Sequence, residues 1–282
     1  MDNSFVVTPM SQEFNLEPGK TYDGKIAVAN PGDSTSDFAY KISVAPYSVL
    51  GEAYDADLTT MSNHSMIVDW IKIDEPIGIV KPNETKEIYF TITVPESAPA
   101  GGQYASILVT ENAQMAASQG LEVNSVFEIA SLVYAEVAGE TVREGEILEN
   151  RIPSFVMTVP VNVGALISNT GNVHQTATTV LEVRNLLTGE VILPTEQNSG
   201  RYAETIMPDT TRQTSYDIAN LPVVGAVKIT QVVYYNGISS VEVKDVVICP
   251  IWFIVLAITL IASVIVAIVV LVKKRRKKRA VV

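Results

Sequence analysis

Cysteine and histidine are scarce in this 282-residue chain, which holds one cysteine, Cys249, and two histidines, His64 and His174. One cysteine cannot form an intrachain disulfide, and zinc sites built from four cysteines or from mixed cysteines and histidines are excluded as well. Gly-x-Ser-x-Gly, His-Glu-x-x-His, Gly-x-Gly-x-x-Gly and phosphate-loop motifs are also absent from the sequence. We therefore expect no enzymatic activity, no cofactor and no metal.

Positive charge is scarce over most of the chain. Seven of the 20 basic residues lie at positions 273–279 and no acidic residue follows Asp245, which leaves 13 basic against 31 acidic groups before that point, a net charge of −18. A surface this acidic repels phosphate backbones, whereas nucleic-acid binding draws its affinity from Lys and Arg. Nucleic acid is therefore excluded as a partner of the main body.

Charge of either sign is missing between positions 246 and 272. As a helix, residues 251–272 would be about 33 Å long at about 1.5 Å per residue, enough to cross a hydrocarbon core of about 30 Å. The alternative is a buried core element, but soluble cores rarely need such a length without a polar interruption. We predict a transmembrane helix at residues 247–272, with the lipid bilayer as a partner. Its predicted anchoring side chains are Ile251, Trp252, Phe253, Leu256, Leu260, Val264 and Leu271.

A basic run directly follows this apolar stretch. The positive-inside rule then places residues 273–282 in the cytoplasm as a basic tail and the preceding domains outside the cell membrane, with Trp252 at the outer interface. Nuclear localisation or heparin binding is the alternative for such a run, but its position favours a stop-transfer signal that contacts anionic lipid. The predicted stop-transfer residues are Lys273, Lys274, Arg275, Arg276, Lys277, Lys278 and Arg279.

A signal peptide is not recognisable at the start, since Met1-Asp2-Asn3-Ser4 has neither a basic start nor an apolar core. Three alternatives remain open. The signal has been removed from the sequence, Met1 is a late start, or the N-terminus stays in the cytosol and the span is a tail anchor. A tail anchor would usually leave less positive charge beyond its span.

The first 245 residues have an all-β pattern. They are rich in Val, Ile, Thr and Tyr in short runs separated by Pro and Gly, without a long helical stripe. Fourteen strands are predicted, at residues 5–8, 25–29, 38–46, 67–73, 87–94, 103–110, 126–138, 155–159, 164–168, 176–185, 190–193, 211–218, 226–235 and 241–246.

The order of these signals repeats once along the chain. Residues 26–32 (Ile-Ala-Val-Ala-Asn-Pro-Gly) resemble residues 165–171 (Ala-Leu-Ile-Ser-Asn-Thr-Gly), and each half later carries two prolines and a glycine in the same order. We therefore predict two tandem Ig-like β-sandwich domains, at residues 1–138 and 139–246, followed by one transmembrane α-helix. A polar stretch at residues 139–145 would join them.

Four stretches carry a family resemblance: residues 7–9 (Val-Thr-Pro), 16–21 (Leu-Glu-Pro-Gly-Lys-Thr), 28–32 (Val-Ala-Asn-Pro-Gly) and 95–104 (Pro-Glu-Ser-Ala-Pro-Ala-Gly-Gly-Gln-Tyr). With them the chain resembles the N-terminal Ig-like domain of bacterial surface proteins of the WxL-interacting protein family. The second sandwich, the single span and the basic tail resemble that family's whole-chain layout. The resemblance implies a bacterial envelope protein whose first domain contacts peptidoglycan or a wall-associated partner, and whose second meets host or neighbouring-cell proteins.

Two short patterns suggest other chemistry. Residues 55–59 (Asp-Ala-Asp-Leu-Thr) resemble the start of a calcium loop, but Thr60 and Met66 replace the glycine and the glutamate that an EF-hand requires. Asp33 and Asp37 could bind calcium at an edge, although a solvated acidic face is the commoner meaning of such residues.

We expect a membrane-anchored cell-surface adhesion protein that contacts cell-wall polymer or surface proteins through edge strands and loops. One alternative is a structural or accessory subunit of a membrane complex, contacting its partner through the span. A second is a surface hydrolase that uses His64 or His174, although both read more naturally as loop histidines. The oligomeric state and the ligand stay open.

Overall fold

The computed structural model describes residues 5–32, 34, 36–112 and 127–279. The chain forms two compact units. The first comprises Met1–Gly145 with two later segments, Ser168–Gln175 and Thr205–Arg212, and the second comprises Glu146–Ile167, Thr176–Glu204 and Gln213–Val282. Strands dominate, and one apolar helix follows at the C-terminal end, which confirms this part of the sequence prediction. The predicted boundary at residues 138 and 139 stays a prediction.

The first unit is a β-sandwich of a four-stranded and a five-stranded sheet. The four-stranded sheet has the order β1-β3-β9-β7 and the five-stranded sheet the order β2-β11-β10-β4-β8, while β5 and β6 form a separate hairpin. Its strands in the described residues are β1 (Val6–Thr8), β2 (Ser11–Leu16), β3 (Thr21–Ala29), β4 (Phe38–Pro46), β5 (Ser48–Leu50), β6 (Asp55–Asp57), β7 (Ile71–Ile73), β8 (Ile77–Val80), β9 (Thr85–Thr93), β10 (Gly101–Glu111) and β11 (Glu128–Val137).

Side-chain alternation builds the core of this sandwich. Along β9, Ile88, Phe90 and Ile92 are buried while the residues between them face outward, as the two-residue period of a strand requires. Strand β10 lies between β4 and β11 and is buried from Gly101 to Val109. The core therefore fills the space between the two sheets.

The second unit repeats this plan. Its sheets have the orders β12-β14-β18 and β13-β20-β19-β15-β16, with β17 also paired to β15. In both units the chain enters one sheet and then adds a parallel edge strand to the other, β2 on β11 and β13 on β20. The strands are β12 (Gly145–Arg151), β13 (Phe155–Val156), β14 (Val161–Asn169), β15 (Gln175–Asn185), β16 (Val191–Leu193), β17 (Arg201–Ile206), β18 (Thr210–Ile218), β19 (Gly225–Tyr235) and β20 (Ile238–Ile248).

The strand predicted at residues 67–73 is wrong over its first part, where the chain forms a 3₁₀ helix (Met66–Trp70) before β7. A strand through this stretch would place Asp69 on the same face as Ile67. The three-residue period of a 3₁₀ helix instead places Ile67 and Trp70 together in the core and leaves Asp69 outside it.

The C-terminal helix, α1 (Ile251–Arg279), follows β20 without a linker. The β13–β20 pairing extends past the strand end, since the Cys249 amide donates to the Val156 carbonyl at 3.0 Å. Pro250 is already the first acceptor of the helix, taking bonds from the amides of Phe253 and Ile254. The sheet and the helix are therefore joined without a flexible linker.

Candidate functional site

The predicted anchoring residues lie together on α1. The stretch Ile251–Lys273 has a mean hydropathy of 3.3, which makes the helix long and apolar enough to cross a membrane. These side chains are exposed to the surroundings over the whole stretch rather than packed against a sandwich: Ile251, Trp252, Phe253, Leu256, Leu260, Val264 and Leu271. The helix begins at Ile251, four residues later than the predicted start of the span at residue 247, because residues up to Ile248 belong to β20.

The basic run continues the same helix. Lys273 is exposed at the end of the apolar stretch, and the backbone remains helical through residues 274–279, so the predicted stop-transfer residues directly extend the apolar helix.

The first unit brings both histidines of the chain to one tyrosine, Tyr104 on β10. We call Tyr47, Tyr104, Tyr134, His64 and His174 the Tyr104 cluster. Ring centroids lie 6.2 Å apart for Tyr104 and His64, 5.6 Å for Tyr104 and His174, and 5.7 Å for Tyr104 and Tyr134. The Tyr104 hydroxyl accepts a bond from the His174 backbone amide at 2.8 Å. His174 reaches it because the segment Ser168–Gln175 belongs to the first unit.

Two adjacent glycines allow close packing here, Gly102 against Tyr104 and Gly101 against Asn172. A Cβ at Gly102 would overlap the Tyr104 ring, with Cζ only 2.6 Å away and the hydroxyl nearer still. Gly101 has a φ of +112°, and a Cβ there would lie 2.8 Å from the Asn172 carbonyl oxygen. The Gly-Gly-Gln-Tyr stretch that contributes to the family resemblance is therefore required by packing.

Asn172 ties three chain segments of this unit together. Its side-chain oxygen accepts from the Val142 amide at 2.7 Å, its side-chain nitrogen donates to the Glu140 carbonyl at 3.0 Å, and its own carbonyl accepts from the Gly102 amide at 2.7 Å. The polar stretch at residues 139–145, predicted as a connection, is thus held in place by side-chain and backbone bonds.

His64 is fully engaged by neighbouring groups. Its Nδ1 lies 2.9 Å from the Gly102 carbonyl oxygen and its Nε2 lies 3.4 Å from an Asp209 carboxylate oxygen. Gly102 O can only accept, so Nδ1 carries the proton. A pocket of about 160 Å³ adjoins this histidine, and the side chains of Ser48, Ser62, Tyr104 and Thr210 are among those that line it. A general base needs a ring nitrogen directed at a nucleophile, and both nitrogens of His64 point elsewhere.

Burial shifts the pKa of three members of the Tyr104 cluster, Tyr104, Tyr134 and His174. Loss of solvent lowers the pKa of His174 and raises the pKa of Tyr104 and of Tyr134, because each charged form would lose its hydration. Glu13 and Glu136 act on His174 in the opposite direction, but desolvation is the larger cause. Tyr104, Tyr134 and His174 are therefore held neutral near pH 7.

Acidification is expected to destabilise the first unit through His174. The unfolded chain takes up the proton at its ordinary pKa of about 6.5, whereas the folded state resists protonation. The stabilising contribution is therefore full above that value and is lost as the pH falls below it towards the folded pKa. Chemical unfolding at pH 7.5 and pH 5.5 measures the effect, and His174→Gln should reduce the difference. An equal pH dependence in both proteins would contradict this role.

The calcium-like stretch at residues 55–59 serves a local turn. One oxygen of Asp57 accepts bonds from the Thr59 amide at 2.9 Å, the Thr59 hydroxyl at 2.7 Å and the Thr60 amide at 3.3 Å. The side chains of Thr60 and Thr59, followed by these amides, lower the pKa of Asp57 to about 2. Among the described residues, no group of three or more His, Cys, Asp or Glu could hold a metal ion. Asp33 lies outside the described residues.

An open depression on the first unit lies between strands β2 and β3. We call it the β2–β3 groove; its volume is about 520 Å³, and it is lined by Gln12, Glu13, Phe14, Asp23, Gly24, Lys25 and Tyr89. Phe14 packs edge-on against Phe90, with ring centroids 6.1 Å apart. A Cβ at Gly24 would overlap the Phe90 ring, so glycine lets that ring approach the groove.

The groove presents an exposed ring and an unsatisfied amide. Tyr89 is 51% exposed, and its hydroxyl donates to Glu87 at 2.9 Å, a carboxylate that also pairs with Lys25 at 2.6 Å. The side-chain nitrogen of Gln12 is buried without a hydrogen-bond partner. A buried donor without an acceptor is costly.

Two strand edges run along the same groove. Strand β2 pairs only with β11, and β3 before Ala27 pairs only with β9, within the part of the chain that is described. The carbonyls of Met10 and Leu16 accept bonds from β11. Backbone groups alternate sides along a strand, so the even-numbered residues of β2 face β11 and Glu13 directs its N–H and C=O to the free edge. Strand β2 and its free edge were not predicted, because Ser11–Leu16 has a mixed polar pattern.

No family model matches the chain, and no curated protein matches it. Solved structures do match. The CsuC–CsuE chaperone and tip adhesion subunit pre-assembly complex of Acinetobacter baumannii is 12% identical over 86% of this chain and 98% of that chain, with a TM-score of 0.41. The class 5 fimbriae chaperone CfaA is 14% identical over 86% and 99%, with a TM-score of 0.38. The E. coli chaperone DraB is 12% identical over 86% and 96%, with a TM-score of 0.39.

Proposed function

We propose that this protein is a membrane-anchored bacterial cell-surface binding protein, of the kind found in the WxL-interacting family, with no catalytic role. In this proposal α1 spans the cell membrane, the two Ig-like sandwiches lie outside, and the basic residues after the span stay in the cytoplasm. The apolar stretch of α1 and its exposed side chains support the anchor.

The observation that carries the binding role is the free edge of β2 in the β2–β3 groove. Glu13 directs outward an N–H and a C=O that have no backbone partner among the described residues, and an extended segment of a surface protein can add to this edge as a further strand. Main-chain bonds would supply affinity, and Phe14 with Tyr89 would select apolar side chains of the partner. Surface protein segments are therefore the partner class that the geometry favours.

Cell-wall polymer is the second candidate, and a different observation favours it. Tyr89 offers an exposed ring face, and Glu13 and Asp23 offer carboxylates within one groove. Hydroxyl and amide groups of a glycan can bond to such side chains while a sugar ring lies on the aromatic face. In this case the side chains would provide the affinity and the free strand edge would be incidental.

Two substitutions at one position separate these candidates. Glu13→Pro removes the outward N–H while leaving the even-numbered residues paired to β11, and proline is tolerated on edge strands. Strand addition predicts that Glu13→Pro weakens binding at least about tenfold while Glu13→Ala has little effect, because one lost main-chain bond and a steric block cost about 1.4 kcal/mol or more. Binding is measured with the full chain in lipid nanodiscs against purified cell wall and against detached surface proteins.

Side-chain recognition gives the opposite pattern. Tyr89→Ala should then weaken binding to purified cell wall, and Glu13→Pro should match Glu13→Ala. Tyr234→Ala is the matched control, because Tyr234 is a strand tyrosine of similar exposure, 48%, on the second unit. Binding that is indifferent to Glu13→Pro and Tyr89→Ala would exclude the groove as the site. Thermal unfolding of each variant checks that the sandwich is intact.

A further inference from the structure

Charged residues are scarce at one end of the second unit, where the exposed Glu190 of the β15–β16 loop lies next to segments without charge. Four chain segments that meet there lack Asp, Glu, Lys and Arg: residues 152–160, 185–189, 218–227 and 246–250. This is unusual in a body with a net charge of −18 over residues 1–245. Loops normally lie at the surface and are polar, so an uncharged cluster of loops calls for a physical reason. We call these four segments together the charge-free end.

Strand register places these segments together. Ile248 at the end of β20 pairs with Gly225 at the start of β19 and with Val156 at the end of β13. On the other side of β19, Asn185 pairs with Val227, and the Leu186 amide donates to the Ala226 carbonyl. The loops after β13, between β15 and β16, and before β19 therefore leave the sheet at the end where β20 continues into α1.

Large apolar side chains project from these loops into solvent. Leu187, in the β15–β16 loop, is 82% exposed, and Val223, before β19, is 58% exposed. Met157 and Val159 after β13 are exposed as well. Scattered surface apolar residues are ordinary, but several on adjacent loops form a patch of the kind that marks a protein or membrane contact.

The connection to α1 decides what meets this end. Cys249 still belongs to the sheet ladder and Pro250 already belongs to the helix, so the last paired residue, Ile248, is only three residues from the apolar helix start at Ile251. Three residues extend at most about 10 Å. The headgroup layer on each side of the hydrocarbon core is about 5–8 Å thick. The loops at the level of Ile248 are therefore held within reach of the headgroups.

We propose that the charge-free end inserts its loops into the outer headgroup region of the bilayer, with Leu187 and Val223 at the lipid boundary. This rests on the proposed membrane anchor. The occupant is lipid because the same end is joined directly to α1, the proposed span, and because the scarcity of charge lowers the cost of bringing these loops out of bulk water. In this arrangement the loops of the second unit contact the membrane surface.

Depth-dependent fluorescence quenching tests the proposal in the full chain. Cys249→Ser gives a cysteine-free protein, into which single cysteines are placed at Leu187 and Val223 and labelled with a polarity-sensitive dye. The proteins are reconstituted in vesicles of phosphatidylcholine and phosphatidylglycerol that carry nitroxide lipids, labelled either near the headgroup or deep in the acyl chain. Ser239→Cys is the control, since Ser239 lies nine residues back along β20, about 30 Å from Ile248 at about 3.3 Å per residue. Leu260→Cys reports on the span.

The expected result is that headgroup nitroxide quenches the dyes at 187 and 223 at least about threefold more than the dye at 239, while the deep nitroxide quenches the dye at 260. Quenching at 187 and 223 no greater than at 239, with normal quenching at 260, would overturn loop insertion and leave the anchor standing. Absence of quenching at 260 would overturn the anchor itself. A blue-shifted but unquenched dye at 187 or 223 would mean that a second copy or another protein covers this end, which also overturns the proposal.

Discussion

A chain carrying Leu260→Arg together with Val264→Arg is expected to leave the membrane fraction. Both residues lie near the middle of the apolar stretch Ile251–Lys273, one turn apart on the same face of α1. Each arginine at the centre of a span costs about 2.5–3.5 kcal/mol in membrane insertion, so the pair removes much of the preference of α1 for the bilayer. Alkaline carbonate extraction followed by ultracentrifugation measures the shift from pellet to supernatant.

An apolar exchange serves as the control for this prediction. Leu260→Val with Val264→Leu keeps the composition and hydrophobicity of α1 and should stay in the pellet. If the double-arginine protein also stays in the pellet after extraction, α1 is not what holds the protein in the membrane. The same assay distinguishes an anchor from an accessory subunit. A partner that binds the span would retain the control variant in the pellet, but its binding would change with other substitutions on the surface of α1.

Gly102→Ala is expected to destabilise the first unit by about 1–3 kcal/mol, the usual cost of overpacking a filled core. The added Cβ would meet the buried Tyr104 ring and its hydroxyl, which bonds to the His174 amide. Tyr134, His64 and His174 contact the ring, so a shift of Tyr104 away from the new Cβ would disturb these contacts. For a unit of this size, thermal unfolding should shift down by roughly 2–4 °C per kcal/mol.

Gly237→Ala is the matched control for this substitution. Gly237 lies in the tight β19–β20 turn with a φ of +75°, and a Cβ there meets nothing within 4 Å. Its replacement costs only the strain of a left-handed backbone, about 1 kcal/mol, and should leave the first unit unchanged. The account of the Tyr104 cluster would be wrong if Gly102→Ala unfolded at the same temperature as the parent protein.

Local patterns explain most of what the sequence predicts correctly. The absence of charge from position 246 to 272 predicts α1, because this pattern is local and does not depend on tertiary contacts. The strand predicted at residues 38–46 coincides with β4, since its alternation and its bounding turns are both local. Several other strands, such as β10 and β20, extend beyond the predicted ends, because pairing with neighbours stabilises residues that propensity alone would leave out.

Edge strands and long-range contacts escape this kind of prediction. Strand β2 has only two apolar residues and exists because it pairs with β11, more than 110 residues away. His64 and His174 are distant in sequence, and no local pattern indicates that they meet at Tyr104. The apolar C-terminal helix is therefore predictable from the sequence, whereas the β2–β3 groove and the Tyr104 cluster are not, because both depend on pairing across the sandwich.

The packing of the Tyr104 cluster explains one of the stretches in which the sequence resembles the WxL-interacting family; the family itself stays a prediction. Gly101, Gly102 and Tyr104 belong to one of the four stretches that carry the resemblance, and their packing explains why this pattern precedes a strand. Such a pattern marks a way of filling the sandwich end near His174. Binding is proposed for different residues, in the groove on β2 and β3.

Photo-crosslinking in living cells tests most directly whether the β2–β3 groove binds a partner outside the membrane. A benzophenone amino acid replaces Tyr89 in the full chain, and the same replacement at Tyr234 is the control of similar exposure. We predict that illumination yields a discrete crosslinked product from position 89 that is absent from position 234 and is lost on adding Glu13→Pro. Identical products from both positions, or none from position 89 in cells that hold the protein at their surface, would contradict binding at the groove.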